Sequence, residues 1–360
     1  MKILYAIQGT GNGHLSRARD IIPLLEKKGE LDILVSGIQA DVELHYPIKY
    51  KFKGLSFIFG KKGGVDLLAT YKKNNLKKLY SEIKSLPIEQ YNIIINDFEP
   101  VCAWACFIRK KECIALSHQA AVINKKSPTP KNSDIIGRTI LKNYAPATHR
   151  YGFHFKAYDN NIFTPVIRNQ VREINPVNLG HYTVYLPAYE DQRIIKILKE
   201  AGNVKWHIFS KHSKKAYTKK NFIVKPISND AFIESMATCT GMLCGGGFET
   251  PAEALFLKKK LMAIPMKNQY EQHCNAAALE QINVDVLKSL KKKYLPQITE
   301  WIKSEKIIEV DYPDITCSII NMIIKKYSTS VAAPKIGHII SSLKDFKEYN
   351  LKNIISKKAN

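Results

Sequence analysis

The stretch Cys244-Gly245-Gly246-Gly247-Phe248-Glu249-Thr250-Pro251-Ala252-Glu253 carries the most definite chemistry in this chain. An apolar strand, Met242-Leu243-Cys244, runs into three glycines, and a helix begins near Thr250 and Pro251. Proline suits a first helical turn, where its missing N–H would have been unpaired in any case. Glycines ahead of such a turn let a phosphate approach the backbone, and the free amides and dipole of the helix start favour its negative charge. Glu253 falls about one turn into the helix, within reach of a ribose attached to that phosphate. Gly245, Gly246, Gly247, Phe248, Glu249 and Thr250 therefore describe a diphosphate site with a sugar-reading carboxylate beside it.

A second glycine cluster, Gly9-Thr10-Gly11-Asn12-Gly13-His14, follows the apolar run Met1–Ile7. It is not a dinucleotide fingerprint, because the third glycine of G-x-G-x-x-G would fall at His14, and no P-loop Lys-Ser/Thr follows. There is no D-x-D motif. The seven scattered cysteines lack a CxxC pair and fit a reducing compartment better than a disulfide framework. Cys102 and Cys106, four apart on an apolar helix, read as buried thiols rather than zinc ligands.

The order of these parts resembles the donor-nucleotide signature of the GT-B glycosyltransferases, in particular inverting families 1 and 28. The latter includes the bacterial transferase that makes lipid II. The resemblance implies that Glu253 holds ribose hydroxyls and that Glu271-Gln272, after a strand ending at Pro265, contact the sugar. It implies that Asn275-Ala276 open the next helix and that backbone near Pro226-Ile227-Ser228, centred on Ile227, reads the base. The loop Gly11, Asn12, Gly13 and His14 resembles the acceptor-side loop of the same enzymes, where His is the general base in family 1. Imidazole suits that task because its pKa lies nearest neutrality. Asp97, in Asn96-Asp97-Phe98-Glu99-Pro100, takes the place of the carboxylate that orients such a base. Two plainer roles remain: Asp97 as a helix N-cap, and His14 as a helix-start residue that only positions the loop. His118, ending another strand, is expected to line the acceptor side of the cleft.

Retaining GT-B families carry a Glu eight residues before the ribose Glu; that position is Gly245, which favours inversion. The implied activity is metal-independent transfer of a sugar from a nucleoside diphosphate to a hydroxyl acceptor. No cofactor is expected. UDP is the commonest donor nucleotide, and the acceptor options include a lipid-linked one or a cell-envelope glycan. A 2-epimerase of the same fold and a non-catalytic nucleotide-sugar sensor are the alternatives. The chain lacks the Trp-containing nucleotide box of plant family 1 enzymes, and its residues after the first glycines differ from those of lipid-II enzymes.

Short apolar strands alternating with helices imply an α/β protein with two doubly wound, Rossmann-like domains facing across a cleft. The expected division is residues 1–162 for the acceptor and 163–310 for the donor. A helix returning to the first domain at 311–328 and a lysine-rich tail at 329–360 would complete the chain. The tail contains one amphipathic helix bearing Ile339, Leu343 and Phe346. The strands read at Leu31–Val35, Leu55–Phe59, Asn92–Ile95 and Cys113–Leu116, with helices at Ser16–Lys28, Lys72–Leu86 and Pro100–Arg109. Alternation pauses from Lys125 to Asn161. At 360 residues the chain is long enough for two cores. Its net charge of +23 is spread in lysine pairs and triplets, such as Lys258-Lys259-Lys260. They read either as solvated faces or as attraction to an anionic membrane surface. No basic-aromatic interleaving supports a nucleic-acid partner. No signal-peptide pattern opens the chain, and no apolar run approaches the ~18–20 residues needed to cross a bilayer. A cytoplasmic protein, peripheral on the inner membrane face at most, is expected.

Overall fold

A computed structural model describes residues 1–37, 44–55, 76–131 and 134–328. The first half comprises β1 (Lys2–Gln8), α1 (Asn12–Glu26), β2 (Glu30–Ser36), β3 (Tyr50–Phe52), α2 (Leu76–Ser85) and β4 (Ile93–Asp97). It continues through α3 (Pro100–Ile108), β5 (Ile114–Ser117), α4 (His118–Val122), α5 (Ile135–Tyr144), β6 (His149–Phe153) and β7 (Ile162–Phe163). Its seven strands lie parallel in the order β3-β2-β1-β4-β5-β6-β7. β1 is buried along almost its whole length, as a central parallel strand covered on both faces must be.

The second half begins with α6 (Asn169–Arg172), β8 (His181–Tyr185), α7 (Asp191–Leu198), β9 (Lys205–Ser210), β10 (Tyr217–Lys219) and β11 (Phe222–Pro226). It goes on with α8 (Asn229–Thr238), β12 (Gly241–Gly245), α9 (Glu249–Phe256), β13 (Lys260–Ile264), α10 (Tyr270–Gln281), β14 (Asp285–Val286) and α11 (Leu295–Lys303). The order is β10-β11-β9-β8-β12-β13-β14, and only the β10–β11 pair is antiparallel. In each sheet the strand order reverses once, beside β1 and beside β8. In open α/β sheets ligands bind at the carboxyl ends of the strands at such a switch point. The loop Gly9–Gly11 and Asp97 lie at one switch, and the glycine turn after β12 at the other.

The last described helix, α12 (Thr316–Tyr327), lies against the first sheet: its Tyr327 hydroxyl is 2.9 Å from that of Tyr151 on β6. Ile319, Ile320 and Ile323 share an apolar core with Ile21 and Ile22 of α1, and that core continues to Met242 and Leu255 of the second half. One hydrophobic cluster thus spans both sheets. Separate clusters cover their other faces.

Several elements differ from the sequence reading. Helix α1 starts at Asn12, which places His14 in its first turn. The expected pause at 125–161 contains α5 and β6. The latter, His-Arg-Tyr-Gly-Phe, is too short and polar to announce itself as a buried strand. Helix α10 starts at Tyr270, so Asn275 lies inside it instead of opening it. Lys259 and Lys260 are buried: their ammonium groups donate to the carbonyls of Val177, Ala237 and Ile302. They are not part of a solvated face. Expectations at residues 56–75 and for the helix carrying Ile339, Leu343 and Phe346 lie outside the described residues.

Candidate active site

His14 Nδ1 lies 2.8 Å from Asp97 Oδ1. Asp97 ends β4 and is fully buried, and the helix that follows is capped by another residue. Glu99 accepts the Val101 and Cys102 amides at 2.7 and 2.6 Å, so Asp97 is not the N-cap. Burial pushes the Asp97 carboxyl up, but the Arg17 guanidinium and His14 outweigh it and hold the group below the usual carboxylate range. Between them Phe98 adopts φ +59°, a left-handed conformation costing about 1–2 kcal/mol in an L-residue. Its ring stacks near-parallel to His14, with centroids 6.3 Å apart.

Arg17, buried one turn along α1, donates through Nη2 to both Asp97 oxygens at 2.9 and 2.8 Å. Through Nη1 it reaches Glu249 in the second half. Gly13 makes this possible, since a Cβ there would run into the Glu249 carboxylate. The sequence reading missed Arg17. Its signal is the three-residue spacing from His14, which puts both on one face of a helix.

The glycine turn divides by role. A Cβ at Gly245 or Gly247 would meet only open space, whereas at Gly246 it would press on Pro265 and the Gln272 carbonyl. Asn275 is buried and fixes the turn, donating to the Gly246 carbonyl at 3.1 Å. Its Oδ1 is 2.8 Å from His118 Nε2, while His118 Nδ1 is 2.8 Å from the Phe153 carbonyl. His118 also stacks on Phe248 at 3.9 Å, and burial pushes its pKa down. At 1% exposure it joins the two halves in the interior and does not line the cleft. Asn275 likewise faces no open space.

Glu253 is buried and held by Arg168, which donates to its two oxygens at 2.5 and 2.7 Å and to Asn229 at 2.9 Å. Burial raises the Glu253 carboxyl despite this partner. Arg168 also escaped the sequence reading: it precedes the short helix α6, far in sequence from Glu253. Gln272 accepts the Met266 amide at 2.8 Å, and half-buried Ile227 follows β11. Thr250 lies half-buried in the first turn of α9.

A cavity of about 310 Å³ brings His14, Phe98, Gln119 and Glu271 together between the halves. Gln119 Nε2 donates to Glu271 Oε2 at 3.1 Å and sits 3.4 Å from His14 Nε2. Three polar atoms on residues of its wall, Thr10 Oγ1, Gln119 Oε1 and Gln269 Oε1, are buried without a hydrogen-bond partner in the described residues. Buried polar atoms are rarely left so. The arrangement brings an imidazole, a carboxylate hydrogen-bonded to it and a polar pocket close to the start of α9.

Comparison with known proteins identifies the class. A sequence model described as "Glycosyl transferase family 1" matches residues 1–303, and the chain belongs to that family. It is a glycosyltransferase of the GT-B fold. MurG of Acinetobacter baumannii superposes with a TM-score of 0.54 at 13% identity, over 90% of this chain and 99% of that one. Arabidopsis thaliana UGT89C1, in its complex with quercetin, gives 0.53 at 12% identity over 98% and 99%. The same plant enzyme with UDP-L-rhamnose gives 0.52. No curated protein sequence matches the chain.

Proposed function

We propose that the protein transfers a sugar, with inversion, from a nucleoside diphosphate to an acceptor hydroxyl, and that the nucleotide is UDP. The observation that carries this is the His14–Asp97 contact of 2.8 Å at the wall of a cavity that also holds Glu271. With Nδ1 engaged by Asp97, His14 presents Nε2 to the cavity. The acceptor oxygen attacks C1 of the sugar, the bond from C1 to the diphosphate oxygen breaks, and the proton passes to Nε2. Asp97 would hold the imidazole in the orientation that this transfer needs. Glu271 and Gln272 would hold sugar hydroxyls. The leaving diphosphate would rest on the open faces of Gly245 and Gly247, at the start of α9 near Thr250. The bound UDP-L-rhamnose of the plant neighbour supports a UDP donor by analogy of fold. On this reading the first half takes the acceptor through Gly11, Asn12 and Gly13. The second half takes the donor, with Ile227 beside the base; Glu253, whose two oxygens Arg168 holds, would have to exchange that partner for the ribose hydroxyls. A lipid-linked acceptor reached at an anionic membrane surface extends the same proposal and rests on the net charge of +23.

His14→Ala should lower turnover by about 10²–10⁴-fold with UDP affinity unchanged, and Asp97→Asn should lower it less. The assay measures UDP release with an acceptor mixture, calorimetric UDP binding, and the anomeric configuration of product by NMR. Normal turnover in both variants would remove His14 as base. A retained anomeric configuration would remove inversion, and conversion of a UDP-sugar to its 2-epimer without acceptor would replace transfer by epimerisation.

A further inference from the structure

A second and larger cavity, about 730 Å³, lies on the far side of α5 from the one that holds His14. The helix separates them by its own periodicity. Ile136, Gly137, Ile140 and Leu141 face the His14 cavity, while Arg138, Thr139 and Lys142 face the other. The two meet at a common rim, Asp134 and Tyr270, which line both.

The larger cavity is strongly basic. Lys125, Arg138, Lys142, Arg150 and Lys326 line it, all of them exposed. Asp134 is the one carboxylate on the wall among the described residues, and it is spoken for: its Oδ1 accepts the Gly137 amide at 2.8 Å as the cap of α5. Among the described residues none of the five cations pairs with a carboxylate within 4.0 Å. Elsewhere the exposed Lys49, Lys126 and Lys292 do so at 2.7–2.8 Å. Five cations without a carboxylate partner, Lys326 among them donating to the Tyr151 hydroxyl at 3.1 Å, converge on one concavity, where they repel one another and concentrate anions. Exposed Thr129 adds a hydroxyl to the wall, and α12 closes one side through Lys326 and Tyr327.

From this placement we propose that the basic cavity holds an anionic part of the acceptor, phosphate or carboxylate, while the reacting hydroxyl reaches His14 over the Asp134–Tyr270 rim. This rests on the transferase reading of the His14 cavity. It adds the acceptor's class: an extended molecule whose negative charge lies about one helix diameter, roughly 10 Å, from the hydroxyl that is glycosylated.

The test is charge reversal on the outer face of α5, Arg138→Glu with Lys142→Glu. Binding of inorganic tripolyphosphate and of citrate is measured by calorimetry in protein already saturated with UDP, so that the donor's phosphate positions are filled. Wild type is expected to bind at least one of them, tripolyphosphate for a phosphate acceptor or citrate for a carboxylate one. The double variant should bind it at least tenfold more weakly, with UDP affinity unchanged. Equal affinity in the two proteins, or no binding in wild type, overturns the site. A second arm measures UDP release with maltotriose and with maltotriose bearing a phosphate or a terminal carboxylate. A charged form should stimulate wild type more than the neutral one, and the variant should lose the difference. Equal stimulation of wild type by all three, none included, overturns the acceptor assignment. Failure of wild type to bind UDP would count against the transferase reading instead, and anion binding without UDP would still decide the cavity.

Discussion

Arg17 and Arg168 set the behaviour of the carboxylates around which the site is built. A ribose-reading glutamate at a surface would have no part in stability, but Glu253 is 2% exposed and bonded twice to Arg168. Removing it strands a guanidinium that is itself largely buried. Glu253→Ala should therefore cost about 3 kcal/mol in the free protein, besides weakening UDP binding. Glu253→Gln, which keeps the shape and an accepting oxygen, should cost less. Melting of both variants without ligand checks this, and an unchanged Tm in Glu253→Ala would show that Arg168 finds another partner. At this scale the sequence was legible where a family pattern names both partners. Asp97 and His14, 83 residues apart, were paired through that resemblance, and they touch. His118 and Asn275 were misplaced because a motif gives residue order and not depth: both sit buried in the seam between the halves. Arg17, Gln119 and Arg168 went unseen because the resemblance names none of them and their carboxylate partners lie 80 or more residues away.

Helix α3 shows what one element demands of its first residue. Glu99 caps it from a fully buried position, and burial pushes the carboxyl up to about 7. Between pH 4.5 and 7 the native state thus keeps a proton that the unfolded chain has released, so stability falls as pH rises through that window. The expected loss from this group is about 3 kcal/mol, from the size of the shift. Asp97, whose carboxyl is depressed, acts in the opposite sense and only at more acid pH. Urea unfolding of wild type and Glu99→Gln at pH 5 and pH 8 isolates the effect. Wild type should lose more stability than the variant across this interval, and parallel losses would contradict the protonated cap. Elements with continuous apolar runs, β1, β4 and β12, were legible to within two residues. α5 and β6 were not, because their burial comes from tertiary contact and not from composition.

For the whole molecule, two parallel sheets with a switch point each were legible from the alternation of strands and helices. The apolar cluster that joins them was not, since it assembles from α1, α12 and the second sheet together. Charge is the other property of this scale. A net +23 should draw the protein to anionic vesicles, each lysine near the surface adding about 1 kcal/mol at best, with steep weakening in salt. Co-sedimentation with anionic and neutral vesicles at low and moderate salt measures it. Equal, negligible binding to both would reduce the overall charge to background and leave the lipid-linked acceptor without support. Among the described residues no helix is long and apolar enough to cross a membrane.

The three consecutive glycines after β12 are not interchangeable. At 245 and 247 a Cβ would meet open space, so the fold itself makes no demand for glycine there. At 246 it would press on Pro265 and the Gln272 carbonyl, so a proline and a helix leave no room. One letter, repeated, thus answers to the packing of the chain at its middle position and not at the two beside it.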